Sequence, residues 1–152
     1  GLNSVGMKNI AVAVDLSQGV EGLMHKAYEM SQLYKAKIWL IHIEAPQPVM
    51  VDVYSYNEAD LMINQRGKML KLVHAQLDIY RKELVAEGVD VDVVSVEGNV
   101  AQVLLQELMK YRIDLLIIGN RKHGFFYKTI IGSIFDEVIK KIEIPVLAVP
   151  VE

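Results

Sequence analysis

Two short segments of the chain combine groups that suit the binding of a ligand with a phosphate group and a polar base. Asp15 directly follows the apolar run 10–14, where its carboxylate can accept hydrogen bonds from a base amine or a ribose hydroxyl. Gly132 and Ser133 precede a helical pattern and supply main-chain N–H groups, a hydroxyl group and the positive end of a helix dipole. This set of donors favours a phosphate. The alternative interpretation is that Asp15 and Ser133 only cap helices.

A basic loop lies between Gly119, which follows an apolar run, and Gly132. A glycine directly after a strand lets the main chain turn sharply and approach a ligand closely. The basic side chains are either phosphate contacts or members of a solvated loop: Arg121, Lys122, His123 and Lys128. The segment matches neither the P-loop pattern nor the dinucleotide-binding glycine pattern, because the required glycine and lysine spacings are absent.

The elements that must position these segments alternate between strand and helix. Short apolar runs predict strands at 10–14, 38–43, 89–96, 115–118 and 145–151. Helical periodicity predicts helices over 20–34, 58–87 and 100–111, and a fourth after residue 132. Five residues are expected to mark the buried side of the second helix: Met69, Leu72, Val73, Tyr80 and Leu84.

Five strands that alternate with four helices predict an α/β fold with a doubly wound, Rossmann-like parallel sheet. The first and fourth strands are short and apolar, which favours central positions and the strand order 3-2-1-4-5. The third strand alternates apolar and polar residues, which is typical of a sheet edge. Ligands of such sheets bind outside the carboxyl ends, where the winding reverses between strands one and four. Both informative segments are predicted to meet there.

Composition restricts the class of protein. The chain has 152 residues, of which 52% are hydrophobic, and a formal net charge of -3. The chain length predicts one domain, over residues 7–152. Residues 1–6, which precede Met7, are predicted to be a tag or a disordered start. The charge excludes a strongly basic nucleic-acid binder. No apolar run approaches the roughly 20 residues that span a bilayer, so no membrane insertion is expected. The absence of cysteine favours a reducing compartment, and we predict a cytoplasmic protein.

The chain resembles the universal stress protein family over nearly all of residues 8–151. The resemblance is carried by IAVAVDLS at 10–17, LIHI at 40–43, and Gly119 followed thirteen positions later by Gly132 and Ser133. Nucleotide-binding members carry a glycine, two residues, a second glycine, nine residues, then Gly-Ser or Gly-Thr. Lys122 stands where the second glycine would be. The resemblance implies the adenine nucleotide alpha hydrolase-like form of the fold.

The resemblance also implies roles for individual residues. Asp15 would contact the adenine, the main chain of Ile43 would pair with the adenine edge, and Gly98 would lie near the ribose. A second group would surround the phosphates: Gly119, the Lys122 main chain, Gly132, Ser133 and Ile134. The implied ligand is ATP or AMP, and whether Mg²⁺ accompanies it is left open. Family members commonly form dimers through the last strand, so a homodimer is expected.

Three functions remain open at this stage. The first is a nucleotide-binding regulatory module of the stress response, acting with a protein partner that the sequence does not identify. The second is a slow ATPase, which is disfavoured because no nucleophile accompanies a base and no carboxylate pair suits magnesium. The third is a nucleotide-free interaction protein that works through its dimer surface, and Lys122 favours it. His42 is interpreted as a packed, hydrogen-bonded polar residue, and no histidine spacing predicts a metal site.

Overall fold

The alternation of β-branched runs with amphipathic stretches produces five strands and four helices. The computed structural model describes residues 6–16, 19–46, 56–121 and 136–151. The strands are β1 (Asn9–Ala13), β2 (Lys37–Glu44), β3 (Val91–Glu97), β4 (Leu115–Arg121) and β5 (Val146–Val151). The helices are α1 (Val20–Tyr34), α2 (Tyr56–Ala86), α3 (Val100–Lys110) and α4 (Asp136–Lys141). The segment from Lys122 to Ile134 lies outside the described residues.

The strands form one parallel sheet in the order β3-β2-β1-β4-β5, which confirms the predicted order. β1 is central and pairs with β2 through Ala13 and Ile41, and with β4 through Val12 and Ile117. Its core residues Ile10 and Val12 are fully buried, as expected for a strand that is covered on both faces. The chain winds outward from β1 in both directions, so a reversal point lies between β1 and β4.

Two apolar cores cover the two faces of the sheet. α1 and α2 pack on one face, where Leu23 and Leu77 join the inward residues of the strands. α3 and α4 pack on the other face, where Leu104, Leu108 and Val138 form a smaller core. The helices that connect β1 to β2 and β2 to β3 therefore lie opposite those that connect β3 to β4 and β4 to β5. This is the doubly wound arrangement that the alternation predicts.

The buried side of α2 differs in part from the prediction. Tyr80 and Leu84 are buried as expected, and Leu77 completes their stripe with a 1% exposed side chain. Leu72 is 72% exposed and Met69 is 40% exposed, so the prediction for these two residues is wrong. At 100° per residue, Leu72 lies about 140° from Leu77 around the helix, which turns it away from the sheet.

β4 is longer than predicted. The apolar run ends at Ile118, but the strand continues through Gly119 and Asn120 to Arg121. Its last three residues are in register with Val149, Pro150 and Val151 of β5. Gly119 therefore lies within the strand, and the predicted turn directly after Ile118 is wrong.

The amino end of the sheet is closed by the chain's own contacts. The Asp114 carboxylate accepts hydrogen bonds from the main-chain N–H groups of Lys8 and Asn9, each at 2.9 Å. The Trp39 indole donates to the Asn9 side chain at 3.1 Å and stacks on Tyr111, with ring centroids 4.2 Å apart. These groups satisfy one another, which leaves the carboxyl edge as the place to look for a ligand site.

None of the helices within the described residues is both long enough and apolar enough to cross a bilayer.

Candidate functional site

The described site residues that the sequence predicts all lie at the carboxyl edge of the sheet. Asp15 follows the end of β1, Ile43 is the penultimate residue of β2, and Gly98 follows β3 directly. Gly119 lies in the last part of β4. Since the strands are parallel and neighbouring strands are about 4.8 Å apart, four segments separated in sequence converge on this edge.

Asp15 lies just beyond the carboxyl end of β1, beside the reversal point. The last register pair between the two strands joins Ala13 to Ile41, and Val14 N–H donates to the Ile41 carbonyl at 2.8 Å. Asp15 and Ile43 each follow this register pair by two residues. Asp15 is half-buried. The α1 N-cap position is held by Gly19, which makes no side-chain cap bond, so Asp15 does not occupy that position.

The main chain of Ile43 is directed toward this gap. In a parallel strand, successive residues direct their N–H and C=O groups to alternate neighbours. The N–H of Lys37 and the carbonyl of Ile41 bond to the β1 side, whereas the N–H of Ile38 and the carbonyl of Glu44 bond to the β3 side. Ile43 follows the odd-numbered residues, so its N–H and C=O groups face the β1 side just beyond the point where β1 ends.

Gly98 forms a tight turn between β3 and α3. Its N–H donates to the Glu44 carbonyl at 3.0 Å, and its φ of 156° is one that side-chain-bearing residues rarely adopt. A Cβ at this position would lie 2.6 Å from Cγ2 of Val103. Asn99 then caps α3 by accepting a hydrogen bond from Gln102 N–H. Glycine is therefore required here for two independent steric reasons.

Gly98→Ala is expected to lower the free energy of unfolding by about 1–3 kcal/mol, the cost of a strained main-chain conformation and an overpacked contact. Urea unfolding of the variant and the wild-type protein measures this. Gly67→Ala is the matched control, because a Cβ at that helical position meets nothing within 4 Å. That control is expected to be neutral or slightly stabilising. Equal stability of Gly98→Ala and the wild-type protein would show that the turn adapts without strain.

Gly119 packs closely against the end of the chain. It pairs with Val149, and a Cβ at position 119 would lie 3.1 Å from Cγ2 of Val151. The glycine therefore keeps β4 and β5 in close contact at the carboxyl edge.

Four of the predicted site residues lie outside the described residues: Lys122, Gly132, Ser133 and Ile134. Their predicted roles around a phosphate stay predictions. α4 begins at Asp136, close behind them in sequence, and its first turn carries Glu137 as well as Asp136.

A polar cluster on the α2 face of this edge was missed by the sequence reasoning, apart from His42. His42 and Glu44 alternate along β2, and Glu97 on β3 is in register with Glu44. Arg66 of α2 donates to the Ala45 carbonyl at 3.2 Å and to Glu97 at 3.4 Å. The period-two placement of His42 and Glu44 after Leu40 was the available signal, because it puts polar groups on a core-facing side.

His42 is buried and both its ring nitrogens have partners, as its interpretation as a packed polar residue predicts. Nδ1 lies 3.1 Å from the Val14 carbonyl, and Nε2 lies 3.0 Å from Oε2 of Glu44. The ring thus connects the residue before Asp15 with the residue after Ile43.

Shifted pKa values in the described part of the chain arise from surface ion pairs. A hydrogen bond to Asp92 raises the pKa of Lys37, at the start of β2. A hydrogen bond to Lys26 lowers the pKa of Glu29, on the exposed side of α1. Such exposed pairs contribute little to stability and do not indicate catalytic chemistry. Within the described residues, no group of three or more His, Asp or Glu side chains is arranged to hold a metal ion.

The chain is similar to curated bacterial proteins along almost its whole length. It is 31% identical to universal stress protein A of Yersinia pestis over 145 residues, which is 94% of this chain and 91% of the relative. It is 30% identical to universal stress protein A of Escherichia coli over the same length, 94% of each chain.

Solved structures share the fold at lower identity. Universal stress protein UspA of Lactobacillus plantarum superimposes with a TM-score of 0.70 at 16% identity, covering 96% of this chain and 99% of the other. A universal stress protein in complex with cAMP gives 0.67 at 18% identity, covering 96% and 98%. The Archaeoglobus fulgidus protein in complex with dAMP gives 0.59 at 17% identity, covering 93% and 96%.

The profile of the universal stress protein family matches residues 6–150. This match spans every described strand and helix but the final residue of β5. With the sheet order and the similarity to curated relatives, it shows that the chain belongs to the universal stress protein family.

Proposed function

We propose that this protein binds an adenine nucleotide, ATP or AMP, at the carboxyl edge between β1 and β4, and acts as a dimeric signalling or protective module in the stress response. In this proposal Asp15 contacts the adenine and Gly98 lies near the ribose. The phosphates are surrounded by Gly119, the Lys122 main chain, Gly132, Ser133 and Ile134.

The observation that carries the proposal is that the main chain of Ile43 and the acidic residue Asp15 both lie where β1 ends. The Ile43 N–H and C=O groups face the space beyond the end of β1, and the half-buried Asp15 follows that end of the strand. An adenine edge presents an amine donor beside a ring-nitrogen acceptor, and a strand residue offers the complementary acceptor and donor. A carboxylate nearby adds a charged acceptor for an amine or a ribose hydroxyl.

The related structures support the choice of ligand class. Proteins with this fold have been solved with cAMP and with dAMP, both of which contain adenine. ATP and AMP share that base, which is the part of the ligand that Asp15 and Ile43 would contact.

A dimer through β5 completes the proposal. β5 is an edge strand, and its Ala148 and Pro150 side chains are exposed. An edge strand presents unpaired main-chain groups along one side, and pairing with a second copy of the strand would cover them.

The proposal predicts that AMP or ATP raises the melting temperature of the purified protein. At a ligand concentration 100 times Kd, binding adds about 2.7 kcal/mol, which corresponds to a rise of roughly 5–10 °C for a chain of this size. Scanning fluorimetry followed by titration calorimetry measures the effect. GMP is the matched control, because its base presents a different edge to Ile43.

A phosphate-release assay together with the thermal-shift measurement separates the competing functions. Release of phosphate from ATP above a no-protein control would indicate slow hydrolysis. No thermal shift with either ATP or AMP would contradict the proposal and would favour the nucleotide-free interaction protein.

A further inference from the structure

The end of the β1–β2 ladder has an unusual hydrogen-bond donor. Val14 N–H donates to the Ile41 carbonyl at 2.8 Å, and in a continuing parallel ladder Ile43 N–H would next donate to the Val14 carbonyl. The ladder instead stops at the Ala13–Ile41 pair, and no main-chain bond joins Ile43 to Val14, both of which are described residues. The Val14 carbonyl lies 3.1 Å from Nδ1 of the His42 ring.

The partners of the two His42 ring nitrogens show which protonation form of the imidazole can make both hydrogen bonds. A carbonyl oxygen only accepts hydrogen bonds, so Nδ1 must carry a proton. Nε2 faces the Glu44 carboxylate at 3.0 Å, and an ionised carboxylate also only accepts. The doubly protonated ring satisfies both contacts, whereas a neutral ring satisfies only one of them.

The other charged and titratable groups around His42 belong to the neighbouring elements. Among the described residues, Glu97 lies on β3, Arg66 and His74 lie on α2, and Asp15 follows the end of β1. His74 reaches this face through Ser95, which is in register with His42 and lies 3.2 Å from His74 Nε2. The described core residues of α1 on this face are apolar: Val20, Leu23, Met24 and Ala27. Glu44 is therefore the acidic group in direct contact with the ring.

We propose that His42 is a positioning residue for the adenine subsite. By donating to the Val14 carbonyl, the ring takes the place of the Ile43 N–H in the ladder and keeps the main chain of Ile43 available to a base edge. The inference rests on the proposed function, since it names the side chain that prepares that site. It also makes adenine-nucleotide affinity depend on the contact between the His42 ring and Glu44.

The test compares His42→Phe, which keeps a ring but removes both donors, with Glu44→Gln. AMP dissociation constants are measured by calorimetry at pH 6, and the exchange of the Ile43 amide hydrogen is followed by NMR without ligand. His42→Phe is expected to raise the AMP Kd at pH 6 by about fivefold or more, a typical coupling factor. Its Ile43 amide is expected to exchange more slowly, because the ladder can close by one further bond.

Glu44→Gln keeps the contact but removes its dependence on charge. The glutamine amide can donate to a neutral Nε2 or accept from a protonated one, so both ring forms are satisfied. Glu44→Gln is therefore expected to bind AMP as the wild-type protein does. His74→Phe is the control for the loss of a histidine on this face, and it should also keep the wild-type Kd.

Three distinguishable outcomes would contradict the positioning role of His42, the role of its contact with Glu44, or the proposed function. Wild-type AMP affinity and unchanged Ile43 exchange in His42→Phe would overturn the positioning role while leaving the proposed function intact. Loss of AMP affinity in Glu44→Gln would contradict the account of the contact between the ring and residue 44, even if His42→Phe fails to fold. Absence of AMP binding by the wild-type protein, with slowed exchange in His42→Phe, would overturn the proposed function and the binding role while confirming the ladder geometry.

Discussion

Leu77→Ala is expected to lower the free energy of unfolding by about 3 kcal/mol, within the usual range for a buried leucine. The Leu77 side chain is 1% exposed and belongs to the larger core, between α2 and the sheet. Tyr80 and Leu84 follow Leu77 along the same buried stripe of α2. Neighbouring side chains cannot easily fill the cavity that the substitution would leave. Urea unfolding monitored by circular dichroism measures the change.

The matched control lies on the same helix. Leu72→Ala removes the same atoms from a side chain that is 72% exposed, and we expect a change within about 0.5 kcal/mol. A large loss of stability in Leu72→Ala would mean that the outer face of α2 is covered in solution. Equal effects of the two substitutions would contradict the packing of α2 described above.

Asp15→Asn is expected to weaken AMP binding by at least about tenfold, because a hydrogen bond to a charged group contributes roughly 1.5–3 kcal/mol. Asparagine keeps the length of the side chain and one acceptor oxygen, but it loses the negative charge and replaces the second acceptor with a donor. Titration calorimetry with AMP measures the loss. Unfolding experiments on the unliganded variant show separately how much Asp15 stabilises the fold.

Asp78→Asn controls for the change in net charge. Asp78 pairs with Arg81 and Lys82 on the surface of α2, on the helix that follows β2 rather than at the end of β1. Its replacement should leave the AMP Kd within about twofold, as expected for a surface ion pair. If Asp15→Asn destabilises the protein but binds AMP as tightly as the wild-type protein does, the role of Asp15 is structural.

The fold was predictable because its strongest signals are local. The fully apolar runs that contain Val12 and Ile117 indicated central strands, and the alternation of Val91, Asp92 and Val93 indicated an edge. These patterns reflect burial on two faces and on one face, respectively, and burial depends directly on the position of a strand in the sheet. The order β3-β2-β1-β4-β5 followed from them.

The errors arose where local pattern leaves two arrangements equally plausible. α2 carries apolar residues on more than one side, and periodicity alone did not show that Leu77 rather than Leu72 faces the sheet. Gly119 looked like the end of a strand because it follows an apolar run. Its pairing with Val149 extends β4, and a pairing between strands thirty residues apart leaves no mark on the local sequence.

The sequence allowed four residues of the candidate site to be placed at one edge of the sheet, but not the contacts around them. Asp15, Ile43, Gly98 and Gly119 were identified from motif positions, and the structure places all four at the carboxyl edge. The bond from the His42 ring to the Val14 carbonyl joins residues 28 positions apart, and the Arg66–Glu97 pair joins residues 31 positions apart. Such contacts depend on register and helix placement, which only the assembled fold provides.

The close approach of position 119 to Val151 links the region proposed to bind phosphate with the strand proposed to form the dimer. The last residue of β5 limits the bulk that β4 can carry beside the proposed phosphate region, since only 3.1 Å separates a Cβ at 119 from the valine methyl group. A Cβ at 119 therefore requires the Val151 methyl group to move by a few tenths of an ångström, and a smaller residue at 151 would remove that contact. The residue at 151, on the proposed dimer edge, is thus limited by a contact within its own protomer. Substitutions at 119 and 151 should be tolerated together more readily than singly.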